Sequence, residues 1–286
     1  MSEAMIAATP LWLRVLQFPV TRIILLGGII FYMMMLNNTF MLALKETPVL
    51  SILATLGMGL VAMAVYAGWA RFVERRAVGE LSLAGAGREW ATGAAIGAGL
   101  ITACVVALAA LGMYRAEGLN PLAFLLPAAS MALSAGIFEE LFFRGVLFRS
   151  IEDLFGSWIA VAASSLVFGL VHLLNPAGTL AGAVYISIEA GLLLAAAYLI
   201  TRRLWIGIGL HMAWNYTLSG IFSGIVSGGD SDPGLIKAVI TGPELLTGGA
   251  FGLESSVFAL VFCTSAGVIL MAIAVRRGHV MAGRWR

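Results

Sequence analysis

The chain has 286 residues, 60% hydrophobic and 11% charged, with a formal net charge of +2 and a mean hydropathy of +0.98. Soluble proteins carry about 25% charged residues, so this balance excludes an ordinary soluble domain, and the absence of any basic block excludes nucleic acid as a partner. Cys104 and Cys263 fall inside apolar runs and read as small buried hydrophobes without a disulfide.

Taken in chain order, the first apolar run begins after Arg14 and Arg22. It is too long for the core of a cleavable signal, so it reads as a retained first span. Eight spans are expected, near 23–44, 49–70, 90–113, 121–149, 157–174, 178–200, 204–226 and 251–275. The expected fold is therefore an all-α polytopic membrane protein, one membrane domain over residues 1–286. The polar connection 71–89 holds Glu74, Arg75, Arg76, Glu80, Arg88 and Glu89 and predicts a short interfacial helix. The longest connection, 227–250, is glycine-rich and contains Asp230, Asp232, Pro233, Lys237, Pro243 and Glu244.

With the N-terminus in the cytoplasm, eight spans put Arg14, Arg22, Arg71, Arg75, Arg76, Arg88, Arg149, Arg202, Arg203, Arg276, Arg277, Arg284 and Arg286 on the cytoplasmic side. Only Lys45, Arg115 and Lys237 fall outside. That split follows the positive-inside rule and places both termini in the cytoplasm, the membrane being the inner or plasma membrane if the host is bacterial.

Ionisable groups within spans are costly and suggest function. Here they cluster: Glu139, Glu140 and Arg144 in the fourth span, His172 in the fifth, Glu189 in the sixth, and His211 with Asn215 in the seventh. Glu140 and Arg144 share a helix face at i, i+4 and read as a structural ion pair. Neighbours on a helix point about 100° apart, so Glu139 is the freer carboxylate. Counting from the turn near Gly156 gives Glu139 and His172 similar depths. His211 and Asn215 share one face a few turns beyond Arg203, so the four groups meet at one level nearer the cytoplasm. Asn215 alone would be helix glue, and Glu189 divides between a helix–helix hydrogen bond and a role facing substrate.

One carboxylate, two imidazoles and a carboxamide suit hydrolysis of an amide. Glu139 acts as general base on water, His172 positions that water or shares its proton, and His211 and Asn215 donate to the oxyanion. A metal-assisted version stays open, in which Glu139, His172 and His211 form a His₂Glu set for zinc.

The string Glu139-Glu140-Leu141-Phe142-Phe143-Arg144 resembles the EExxxR motif of the CPBP family, the CAAX protease and bacteriocin-processing membrane proteins. Phe168 to His172 resembles its FxxxH motif and His211 to Asn215 its HxxxN motif. The resemblance covers roughly residues 121–220, the expected motif core. It implies a glutamate-dependent or metallo-type intramembrane endopeptidase in which Glu139 and His172 activate water and His211 and Asn215 bind the oxyanion. The implied partners are the bilayer and a membrane-associated peptide or protein, prenylated if the host makes such substrates. Glu189 lies outside these motifs. The rival readings are a non-catalytic immunity or scaffold protein using the same fold, and an ion-coupled transporter. A rhomboid-like serine site and an HExxH zinc motif find no residues to carry them.

Overall fold

A backbone surrounded by lipid must satisfy its hydrogen bonds internally, so apolar runs of spanning length become helices. The computed structural model describes residues 10–230 and 233–283; Asp232, Arg284 and Arg286 lie outside them. The protein is an all-α polytopic membrane protein. Among the described residues, seven helices are long and apolar enough to cross a bilayer: α1 (Pro19–Ala43), α2 (Pro48–Val73), α3 (Ala86–Ala110), α4 (Leu122–Phe155), α5 (Ser157–Leu174), α6 (Leu180–Thr201) and α8 (Val257–Arg276).

The segment expected as a full span at 204–226 is shorter. It forms α7, the helix Trp205–Asn215 continued by a π-helical turn, Tyr216–Ile221. Most of it, including Ile206 through His211, is buried among the other helices, so it need not match the bilayer thickness. Its close neighbour is α3. A Cβ at Gly93 would sit 2.1 Å from the Ile206 carbonyl oxygen, and one at Gly97 only 2.2 Å from that of Leu210. Only glycine permits this approach, and it fixes α7 against α3 around His211.

Because the spans alternate in direction, their termini sort into two ends. One end collects the arginines. There the 71–89 connection forms no interfacial helix. Arg75 adopts φ 55° and Gly85 φ 77°, which break helical winding, and its acids are drawn into ion pairs with distant helices. Arg22 of α1 pairs with Glu74 at 2.9 Å and with Asp153 at 2.9 Å. Arg149 of α4 reaches Glu74 and Glu80, both at 3.0 Å, and Arg76 meets Glu80 at 2.8 Å.

The opposite end carries a small two-stranded sheet that hydropathy alone does not announce. Strand β1 (Tyr114–Leu119), between α3 and α4, pairs antiparallel with β2 (Ile236–Ile240) in the long connection before α8. The register runs from Tyr114 opposite Ile240 to Leu119 opposite Ile236, with a bulge between Ala116 and Gly118.

Candidate active site

The EExxxR string lies in a π-helical stretch of α4, Ala135–Phe148. Such winding is rare in proteins and frequent at functional sites. Here it turns both glutamates toward one imidazole. His211 Nδ1 lies 3.1 Å from Glu140 Oε1, and His211 Nε2 lies 3.9 Å from Glu139 Oε2. The helical angle between neighbours thus separates the two carboxylates by nitrogen and not by target. Glu140 also accepts from Arg144 Nη1 at 2.9 Å, with both side chains almost fully buried. The pair read as scaffold alone therefore orients His211 as well. A carboxylate on Nδ1 fixes the ring so that Nε2 faces Glu139. Gly207 makes room for this arrangement, since a Cβ there would lie 2.7 Å from Glu140 Oε2.

His172 sits in the last, 3₁₀ turn of α5, and its Nδ1 lies 2.7 Å from the Phe168 carbonyl oxygen. A carbonyl only accepts, so Nδ1 carries the proton and Nε2 is left as the acceptor. Phe168 is the hub of the site, a role its motif position hinted at without specifying. Its ring centroid is 4.9 Å from that of His172 and 6.1 Å from that of His211. The Arg144 guanidinium stacks 4.7 Å from the same centroid.

Glu139, His172, His211 and Asn215 line one polar cavity of about 250 Å³. Glu139 Oε2 is buried and has no hydrogen-bond partner among the described residues. The cavity continues past Asn38, Met41, Asn175, Gly229 and Asp230, of which Asn38 and Asp230 are exposed. All five belong to the end remote from the arginines, and His172 lies at that end of α5. The cavity therefore reaches the end remote from the arginines, whereas residue counting addressed only the depth of the four groups and put them nearer the cytoplasm. Counting measures position along a helix and not where the surrounding helices leave space.

A second, smaller cavity of about 30 Å³ abuts the first, sharing His172, His211, Asn215 and Ser227. Its other walls include Ile186, Leu193, Leu210 and Cys263, with the acids Glu189 and Glu254. Glu254, which no motif or spacing singles out, accepts from Trp214 Nε1 at 2.7 Å and from the Ser227 hydroxyl at 2.9 Å. It thereby holds the long connection against α7.

Among the described residues, no three or more His, Cys, Asp and Glu side chains are grouped as a metal site. Glu139, His172 and His211 share a cavity without forming such a ligand set.

Residues 120–217 match the family model described as type II CAAX prenyl endopeptidase Rce1-like. This segment runs from the start of α4 into the π-helical turn of α7 and contains all three motifs. No curated protein and no solved structure matches the chain significantly.

Proposed function

We propose, from the match of residues 120–217 to the Rce1-like family model, that this chain is an intramembrane protease of the CPBP family in which Glu139 is the base that activates water. A peptidase acting on a membrane-associated peptide or protein follows from the family. The observation that carries the finer reading is His211, on the wall of the 250 Å³ cavity, held between two glutamates, 3.1 Å from Glu140 and 3.9 Å from Glu139.

Water bound between Glu139 and His172 Nε2 attacks the scissile carbonyl carbon, and Glu139 takes the water proton. The carbonyl oxygen becomes an oxyanion, met by the Asn215 amide and by Nε2–H of protonated His211. Glu140 on the opposite nitrogen supports that charged ring. Collapse of the tetrahedral intermediate breaks the C–N bond, and Glu139 returns its proton to the leaving amine. Arg144 balances Glu140, so the charge pattern is complete before substrate arrives. No step here requires a metal.

Access defines the substrate further. The arginine-rich end is the cytoplasmic one by the positive-inside rule, so the cavity receives its substrate from the other face. The methionines that line its wall, Met34, Met41 and Met131, are soft and adaptable, suited to varied apolar residues or a lipid chain.

The test is cleavage of a library of plain and lipidated peptides by purified protein, read by mass spectrometry. Glu139→Gln should lower the rate by about 10²–10⁴-fold, the usual contribution of a general base. Full activity in Glu139→Gln would sink the mechanism. Access is tested separately by Asp230→Cys in intact cells. A membrane-impermeant maleimide should label it without permeabilisation. Labelling only after permeabilisation would reverse the orientation.

A further inference from the structure

Glu189 is the one intramembrane acid that the motifs leave without a task. It sits on a π-helical turn of α6, Ser187–Gly191, and is 1% exposed. Its Oε2 is buried and has no hydrogen-bond partner among the described residues. Burying an unpaired carboxyl is unfavourable, so its retention calls for a partner. The helix–helix hydrogen bond that would give it a structural role is absent for that atom.

Its surroundings say what the partner is. Glu189 lines the small inner cavity, whose apolar lining includes Ile186, Ala190, Leu193, Leu194 and Leu210 and whose polar lining is His172, His211, Asn215, Ser227 and Glu254. No lysine or arginine lines it. The second acid there, Glu254, is already satisfied by Trp214 and Ser227. The cavity thus combines an apolar wall with a single uncommitted acid, and its 30 Å³ has room for roughly two waters, so a side chain enters it only by widening it. An aliphatic stem with a cationic tip fits both features. The inner cavity abuts the catalytic chamber at His172, His211 and Asn215, which line both spaces. A peptide lying in the outer cavity with its scissile carbonyl at these residues has a neighbouring side chain at the mouth of the inner one.

We propose that the inner cavity is a specificity pocket for a lysine or arginine side chain next to the scissile bond, with Glu189 as its counter-ion. This rests on the protease reading for its place in the reaction, but the pocket itself is a binding site that does not need cleavage to be detected.

Two arms separate the ideas. In the binding arm, purified protein is titrated with n-butylammonium, the lysine side-chain analogue, against n-pentanol, and Tm is followed. Butylammonium should raise Tm in wild type and pentanol should not. Glu189→Gln, neutral and of the same shape, should abolish the difference. Equal responses to both probes, or a butylammonium effect that survives Glu189→Gln, would overturn the pocket. Should Glu189→Gln fail to fold, Ala190→Leu fills the inner cavity without touching the acid and should remove the butylammonium response likewise. In the cleavage arm, peptides carrying lysine or norleucine at each flanking position are compared. Wild type should prefer lysine at one position by at least about tenfold in kcat/KM. Glu189→Gln should bring that ratio near one while still cutting the norleucine peptide. A preference unchanged in Glu189→Gln refutes the assignment. A Glu189-dependent butylammonium response in a protein that cuts nothing would keep the pocket and remove the protease.

Discussion

The two ends of the bundle treat charge in opposite ways. At the arginine-rich end Glu74 faces Arg22 and Arg149, Glu80 faces Arg76 and Arg149, and Arg149 also meets the Tyr66 hydroxyl at 2.9 Å. Arg202 closes a further pair with Glu152 at 2.7 Å. In the cavities, by contrast, the buried oxygens Glu139 Oε2 and Glu189 Oε2 have neither a hydrogen-bond partner nor an arginine or lysine at ion-pair distance among the described residues, whereas Glu74 Oε1, which also lacks a hydrogen bond, faces Arg22 at 2.9 Å. The first pattern spreads each charge over several partners and ties α1, α2 and α4 together. The second keeps hydrogen-bonding capacity free, which costs stability and is retained where chemistry or binding uses it. Glu140 stands between the two patterns, since Arg144 and His211 both engage one oxygen and leave Oε2 without a partner.

That contrast can be broken by experiment. The largest effect is in rate. Glu139→Gln should lose cleavage as described above while Tm stays at or above the wild-type value, because an unpartnered carboxylate contributes little to folding. A collapse of Tm would make Glu139 structural and erase the distinction. Next in size, Arg144→Ala leaves Glu140 buried without its counter-ion and should cost about 3–5 kcal/mol, read as a fall in folded yield and Tm. Because Glu140 orients His211, any protein that survives should also lose activity. A stable and active Arg144→Ala would show that the pair serves neither end.

The smallest effect concerns pH. Burial alone would raise Glu74 and Glu80, but Arg149, with Arg22 and Arg76 beside Glu74 and Arg76 beside Glu80, holds both carboxyls below the ordinary carboxylate range. A depressed folded pKa means the stabilisation is fully present above the unfolded value, near 4.5. It is lost as pH falls below that value and through the folded one. Tm of detergent-solubilised protein should therefore drop on acidification below about pH 4.5, the carboxylate region. The double variant Glu74→Gln, Glu80→Gln should start lower and drop less. Parallel curves for the two proteins would remove these acids from the account.

Composition and apolar run length were enough to read an all-α membrane protein and most of its span boundaries, because lipid leaves the backbone few options. Residue type and spacing were enough to gather Glu139, Glu140, Arg144, His172, His211 and Asn215 as one group, because intramembrane charge is too costly to be scattered. The rest needed three dimensions. The β1–β2 pair joins segments more than a hundred residues apart, and strands of six and five residues are too short to leave a clear periodic signal. The short α7 reads as a full span because hydropathy does not reveal that protein, and not lipid, surrounds it. The double duty of Glu140 follows from π-helical winding and from the space left by Gly207. The end at which the cavity opens, and the inner cavity at Glu189, are set by how side chains from α5, α6, α7 and the long connection pack. The sequence determined which residues had to be kept out of the lipid, whereas tertiary packing decided which of their atoms would be satisfied and which left open to a substrate.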